Sequence, residues 1–286
     1  MTGYQSETIF HLPGAFEHFP IYRTFLQMYK EQYHMFKDNV KIGSIYGAPS
    51  GIWNGEYLLP RQFYAYEELQ KHCDFYNEYN IPIRLTFTNR LLQESHNLDN
   101  YGNMLLEIFN TGNNIISCQV PSLLNYILNK YNDRYKIAIH DVPIKELKKY
   151  KKYNIISLHC LDNKNFKELK QCKINNLELV CNAPNLDSNV AKEYSYAVDY
   201  AQLNFALPRV PNECVGKFDT YIHTKSAEHY ISAQDINDIY LPLGIKNFRL
   251  DGRATGPLNL IEILVDYLIK PEYQLYVRQT LHDVLF

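Results

Sequence analysis

Ile245-Lys-Asn-Phe-Arg-Leu-Asp-Gly-Arg-Ala-Thr-Gly-Pro-Leu-Asn-Leu-Ile-Glu-Ile-Leu264 decides how the rest of the chain is read. A short strand pattern, Lys246 to Leu250, runs into Arg249, Asp251, Gly252 and Arg253, residues that an apolar core does not select. A helix follows almost at once. Pro257 falls near its first turn, and Leu258, Leu260, Ile261, Ile263 and Leu264 form its apolar stripe. Polar side chains gathered where a strand ends and a helix begins occupy the position at which α/β folds carry their chemistry.

The same strand-then-helix alternation extends back along the chain, the pattern of a parallel sheet. Lys41 to Tyr46 reads as a first strand, Ile81 to Thr88 as a second, Asn114 to Val120 as a third and Lys136 to His140 as a fourth. Asn154 to Cys160 and Leu177 to Asn182 follow, Thr220 to His223 is a weaker seventh, and Lys246 to Leu250 is the eighth. Helical segments lie between them at Tyr66 to Asn77, Tyr101 to Asn110, Ser122 to Tyr131, Ile144 to Lys149, Phe166 to Cys172 and Ala191 to Ala206. Eight such units in 286 residues fit a single (β/α)8 TIM-type barrel better than an open doubly wound sheet. Residues 1–40, with a helical pattern around Tyr22 to Phe36, read as an N-terminal helical cap, 41–269 as the barrel and 270–286 as a C-terminal helical tail. Without a Gly/Ser/Pro tract or low-complexity block, a single domain is expected.

Composition narrows the class. A net charge of −2 argues against a general nucleic-acid binder, which is usually basic. The lysine run between Lys145 and Lys152 reads as a solvated helix face. No apolar run reaches the roughly 20 residues of a membrane helix. The opening residues, Met1 to Glu7, lack the basic and apolar regions of a signal peptide. The six cysteines are scattered without a Cys-x-x-Cys pair, which fits reduced thiols, so a cytoplasmic protein is expected.

In a barrel, the C-terminal strand ends share one rim, and reading that rim yields the candidate site. Strand one leads into Tyr46-Gly-Ala-Pro-Ser-Gly-Ile-Trp-Asn-Gly55, a loop carrying the only tryptophan, Trp53, and matching neither a GxGxxG nor a P-loop pattern. Strand two carries Arg84, Thr86 and Thr88 on one face, followed by Asn89. An arginine inside a barrel must be paired, and Asp251 and Glu178 are the candidate partners. His96 with Asp99 in the next loop has the composition of a base with its orienting group, or of metal ligands. Strand four ends in His140-Asp141, strand five in His159 with Asp162 nearby, and strand six in Asn182. No H-x-H, H-E-x-x-H or G-x-S-x-G signature occurs, so the spacing assigns no fixed metal centre and no serine nucleophile.

Two segments carry a resemblance. Phe248-Arg-Leu-Asp-Gly-Arg253 resembles the Lys-Ile-Glu-Gly-Arg segment of the bacterial collagenase-like peptidases, which there also ends a barrel strand and leads into a helix. Leu177-Glu-Leu-Val-Cys-Asn-Ala-Pro184 looks like that family's Leu-Glu-Val-Phe-Val-His-Gly-Ala strand, and the order of units agrees from about residue 41 to 269. The resemblance implies a barrel with peptidase-like chemistry, in a family that also includes accessory factors for RNA and quinone hydroxylation. The chain departs from it in one respect. Family members follow the sixth strand with cysteines that in some relatives hold an iron–sulfur cluster, whereas Asn182 to Ala206 contains none. Thiolates are the ligands such clusters require, so no iron–sulfur cluster is expected there, while a divalent metal is left open.

The first expectation is an enzyme whose general base is Asp251, or a rim histidine such as His140. Arg84, Thr88, Asn89, Asn182 and Arg253 would bind a small molecule or peptide through carboxylate or phosphate oxygens, with Tyr46 and Trp53 over the ligand. Peptide or amide hydrolysis is the chemistry that the resemblance adds. The alternative is a catalytically silent barrel that binds a ligand or partner through an exposed aromatic surface from Tyr194, Tyr196 and Tyr200. A third reading, an accessory protein of RNA or DNA modification, would need a basic stripe around the mouth. The oligomeric state is not legible.

Overall fold

The computed structural model describes residues 7–55, 63–184, 188–209, 221–253 and 255–286. Eight parallel strands close into a barrel in sequence order: β1 (Thr8–Pro13), β2 (Val40–Gly47), β3 (Ile83–Phe87), β4 (Ile115–Cys118), β5 (Lys136–Val142), β6 (Ile155–Leu158), β7 (Leu177–Val180) and β8 (Asn247–Arg249). The helices are α1 (Phe19–Glu31), α2 (Tyr66–Glu78), α3 (Asn100–Ile108), α4 (Pro121–Tyr131), α5 (Phe166–Gln171), α6 (Ser188–Leu203), α7 (Tyr221–Thr224), α8 (Ala233–Asp235), α9 (Gly256–Leu268) and α10 (Gln274–His282). Among the described residues, no helix is long and apolar enough to cross a membrane.

Two expectations change. Residues 1–40 are not simply a helical cap, because Thr8–Pro13 is the first barrel strand and closes the ring against β8. The Thr220 to His223 strand does not form: Tyr221–Thr224 is a helical turn, and Thr220 lies outside the described residues. The Tyr221 hydroxyl donates to Asp266 Oδ2 at 2.7 Å, so a contact from α9 outweighs the strand propensity of the run. Ile144–Tyr150 is also a 3₁₀ helix rather than an α-helix.

Strand alternation sorts the side chains into two layers. Phe10 of β1 faces outward onto Tyr267 of α9, with ring centroids 6.1 Å apart. The outer layer includes Leu260, Ile261, Ile263, Leu264 and Leu268 of α9, each wholly buried, and each such aliphatic side chain contributes about 1.5–3 kcal/mol. His11, Arg84 and Glu178 face inward and meet in the barrel interior. TIM barrels usually fill this space with branched aliphatics. Here Ile115, Ala138 and Ile155 form only a small apolar cluster on the β4–β6 side. Asparagines at positive φ turn the chain toward three strands: Asn39 before β2, Asn80 before β3 and Asn132 before β5. Asparagine tolerates that region better than other residues with a Cβ.

Candidate active site

The barrel interior is held by a buried ion pair. Arg84 Nη1 lies 2.7 Å from Glu178 Oε2 across the ring, and Arg84 Nε donates to Ser117 Oγ at 3.0 Å. Of the two candidate partners for Arg84, the structure selects Glu178. Burial works to raise the Glu178 pKa, but Arg84, His11 and Arg249 together outweigh it and hold the carboxyl at about 2. His11 stands 3.5 Å from the same oxygen and shares a hydrogen bond with Ser44 Oγ at 2.8 Å. That approach would be an ionic contact only with His11 protonated. Burial, the largest influence, holds the imidazole below the ordinary histidine range, against the pull of Glu178.

Arg253 is likewise engaged within the protein. Its Nε and Nη2 donate to Glu17 Oε1 at 3.0 and 2.7 Å, Nη1 donates to Thr86 Oγ1 at 3.0 Å and Nη2 to Ala48 O at 3.2 Å. Trp53 is buried as an anchor for its loop. Its indole N–H donates to His96 O at 2.8 Å, and its ring meets Phe87 edge-on at 5.1 Å. Asn89 donates to Ile52 O and Asp199 O, both at 2.9 Å, tying the β2 and β3 loops to α6. Thr88 is buried beside it.

A cavity of about 190 Å³ opens at the C-terminal ends of β5 to β8. His140, Asp141, Cys160, Arg249 and Asp251 line it, with Arg90 at one side and Tyr194 and Ser195 of α6 above. Of the residues singled out in the sequence, it brings together His140 and Asp251. Arg84, Thr88, Asn89, Asn182, Arg253, Tyr46 and Trp53 are not on its wall. Arg249, Arg90 and Cys160 are the additions, and Tyr194, expected on an exposed aromatic surface, lines the cavity instead. The signal for Arg249 was present, since it lies two residues before Asp251 on the same inward face.

Tyr46 and Asn182 act on this cavity from behind it. The Tyr46 hydroxyl donates to Leu250 O at 2.7 Å and lies 3.2 Å from Asp251 Oδ1, while the Arg249 guanidinium sits 5.6 Å over its ring. Burial, and then the Asp251 charge, raise the Tyr46 hydroxyl well above the ordinary tyrosine range, so it stays a donor. Asn182 clamps the Asp251 backbone from both sides, donating to its carbonyl at 2.8 Å and accepting from its N–H at 2.7 Å. On the facing strand, the β5–β6 register shifts between Ile139 and Val142, and Asp141 has φ +58°. A bulge of this kind re-aims side chains at the end of a strand.

The cavity lacks an activated thiol. Burial, aided by Asp141, pushes Cys160 up to about 11, so its thiolate is scarce near neutral pH. His96 and Asp99 make local turns instead of a catalytic pair: His96 Nδ1 accepts from Gln93 N at 2.8 Å, and Asp99 caps α3 through Gly102 N at 2.7 Å. His159 Nδ1 accepts from Leu161 N at 3.3 Å, and Asp162 accepts from Ile144 N at 2.9 Å. Among the described residues, no three or more His, Cys, Asp or Glu side chains are grouped to hold a metal ion.

No protein-family model matches the sequence, and no curated protein is similar to it. The structure is similar to that of the U32 peptidase Mk0906, with a TM-score of 0.53 and 13% identity, over 88% of this chain and 95% of that one. The likeness is one of fold. It supports the distant fold relationship with collagenase-like peptidases that Leu177 to Pro184 and Phe248 to Arg253 suggest.

Proposed function

We propose that the chain is a barrel enzyme acting at the β5–β8 side of its mouth on a small polar substrate that bears a carboxylate or phosphate group. Hydrolysis of a peptide or amide bond is the reaction class. The observation that carries this reading is the convergence of His140, Arg249 and Asp251 on one cavity at the C-terminal strand ends. Asp251, with its backbone clamped by Asn182, takes the proton of the attacking water, His140 gives a proton to the departing amine, and the proton held on Asp251 then restores His140. Arg249 supplies the positive wall for anionic oxygens, with Arg90, whose Nε is paired with Asp199 Oδ2 at 3.0 Å, at its side. The cavity of about 190 Å³ is smaller than the ~300 Å³ at which drug-sized sites begin, so it admits a residue-sized molecule or the end of a longer one.

The test is turnover of a panel of dipeptides and amides by the wild type, Asp251→Asn and His140→Gln. We expect each substitution to lower kcat by about 10²–10⁴ with circular dichroism unchanged, the range for loss of a positioned acid or base. Turnover that survives both changes would overturn the assignment.

A specific observation favours a second reading. Tyr196 and Tyr200 of α6 are both more than half exposed and stack at 6.4 Å and 24°, whereas Tyr194 is buried. That is part of the aromatic surface expected of a catalytically silent binding barrel. Binding at the cavity that Arg249→Met abolishes, with no turnover of any substrate, is the outcome that would select it.

A further inference from the structure

A second cavity, larger than the one at the mouth, lies at the opposite end of the barrel. It measures about 490 Å³ and opens beside the N-terminal ends of β1 and β2, between Tyr267 of α9 and the segment from Ala233 to Pro242. That volume falls within the ~300–1,000 Å³ typical of small-molecule sites. Phe10, Ile236, Leu241 and Tyr267 supply apolar walls, while Lys37 and Asn237 supply polar ones.

Two further observations set this cavity apart from a packing gap. One wall is a π-helical turn, Ile236–Tyr240, closed by Leu241 N donating to Ile236 O at 2.9 Å. Such wide turns are uncommon and recur at functional sites. The other is the way Lys37 is held. Its Nζ donates to Asp266 O at 2.5 Å and its backbone N–H to Leu268 O at 2.8 Å, fixing the side chain at the cavity edge. An ammonium has three donors, and this backbone carbonyl takes one. The Asp266 carboxylate is turned to Tyr221 and Lys225, at 2.7 and 2.8 Å, and the Asp38 carboxylate on the rim pairs with Lys270 at 2.9 Å. Burial holds Lys37 below the ordinary lysine range, with Asp266 opposing the shift. A negatively charged group entering the cavity would compensate for that burial.

We propose that this N-terminal cavity is a second ligand site, for a small carboxylic acid with an apolar body. The carboxylate sits on Lys37, and the body lies between Phe10, Ile236, Leu241 and Tyr267. The site does not depend on the chemistry assigned to the mouth.

The probe is benzoate, with benzamide as its neutral counterpart, titrated into methyl-labelled protein and followed by NMR. The expected result is saturable benzoate shifts at Ile236 and Leu241, with benzamide about tenfold or more weaker, as a lost charge-assisted hydrogen bond implies. Lys37→Met should weaken benzoate by a similar factor and leave benzamide unchanged, while Lys37→Arg should retain most of the affinity. Because Lys37 also anchors α9, Leu241→Trp is the second variant: it fills the cavity, keeps Lys37 and should abolish both titrations with circular dichroism unchanged. The Asp251→Asn variant should bind benzoate as the wild type does. Benzoate shifts that persist at Ile236 in Leu241→Trp, that map instead to the mouth methyls of Leu158 and Val180, or that never saturate would overturn the proposal.

Discussion

Replacing Arg84 with methionine removes the cation from the barrel interior while keeping much of the side chain's bulk. The substitution leaves Glu178 fully buried without the guanidinium that lies 2.7 Å from it, and it removes the 3.0 Å bond to Ser117. In the intact protein Glu178 titrates at about 2 rather than 4.5. At about 1.4 kcal/mol per pKa unit, that depression corresponds to roughly 3 kcal/mol of stability at neutral pH. Removing one member of a buried pair costs about 3–5 kcal/mol. The two figures agree, and either is a large share of the ~5–15 kcal/mol that holds a typical domain folded. Urea unfolding at pH 7.5 and at pH 5 is the assay. The loss should be smaller at pH 5, because burial unopposed by Arg84 raises the Glu178 pKa and lets the carboxyl neutralise. Adding Glu178→Gln should recover at least half of the loss at pH 7.5. A loss under about 1 kcal/mol, or one that is the same at both pH values, would refute the claim that a compensated charge pair holds the interior.

Other consequences follow from the same geometry. Arg253→Ala strands the Glu17 carboxylate and should cost about 3–5 kcal/mol, seen as a marked fall in Tm; an unchanged Tm would show that Arg253 is not a buried structural cation. Gly102→Ala would place a Cβ 2.4 Å from Trp53 Cε3, so the indole must move; about 1–3 kcal/mol of destabilisation and a red-shifted tryptophan emission are expected. Acid should destabilise the protein in two stages. The folded pKa of His11 lies below 6.5, so the unfolded chain binds the extra proton and stability falls as pH drops below about 6.5. Glu178 has a folded pKa of about 2 against 4.5 ordinarily, so its contribution is complete above 4.5 and disappears as pH falls toward 2. Chemical unfolding from pH 8 to 3 should therefore show falling stability, and Glu178→Gln should flatten the lower stage.

The sequence made β8 and α9 legible because every local signal agrees there: a short apolar strand, polar strand-end residues, and Pro257 in the first helical turn. The Arg84 pair was legible for a similar reason, since alternation turns Arg84 into an interior where it needs a carboxylate. β1 was missed because its inward residue is His11, which breaks the apolar run expected of a parallel strand. The Thr220 to His223 segment misled in the other direction, because its β-branched and aromatic residues suit a strand while contacts with α9 hold it as a helical turn. Arg253 was read as a ligand-binding residue because its partner Glu17 lies 236 residues away, a pairing that no local pattern encodes. Trp53 was read as a cover for the ligand, yet the small residue that accommodates its ring, Gly102, lies in a different helix. At the mouth, His140 and Asp251 were singled out because strand ends are where barrel chemistry collects, and both lie on one cavity wall. The cations were assigned differently because only the closed barrel shows that Arg249 and Arg90 lie on the cavity wall while Arg84 and Arg253 do not.

If the working site is the β5–β8 cavity and not the barrel interior, substrate must be held there. The direct measurement is a crystal structure of protein purified from cells without added ligand and then soaked with a dipeptide. Peptide density bounded by His140, Arg249 and Asp251 is expected, with the Arg84–Glu178 and Arg253–Glu17 pairs intact. Density that instead separates Arg84 from Glu178 or Arg253 from Glu17, or none between His140 and Asp251, would contradict it.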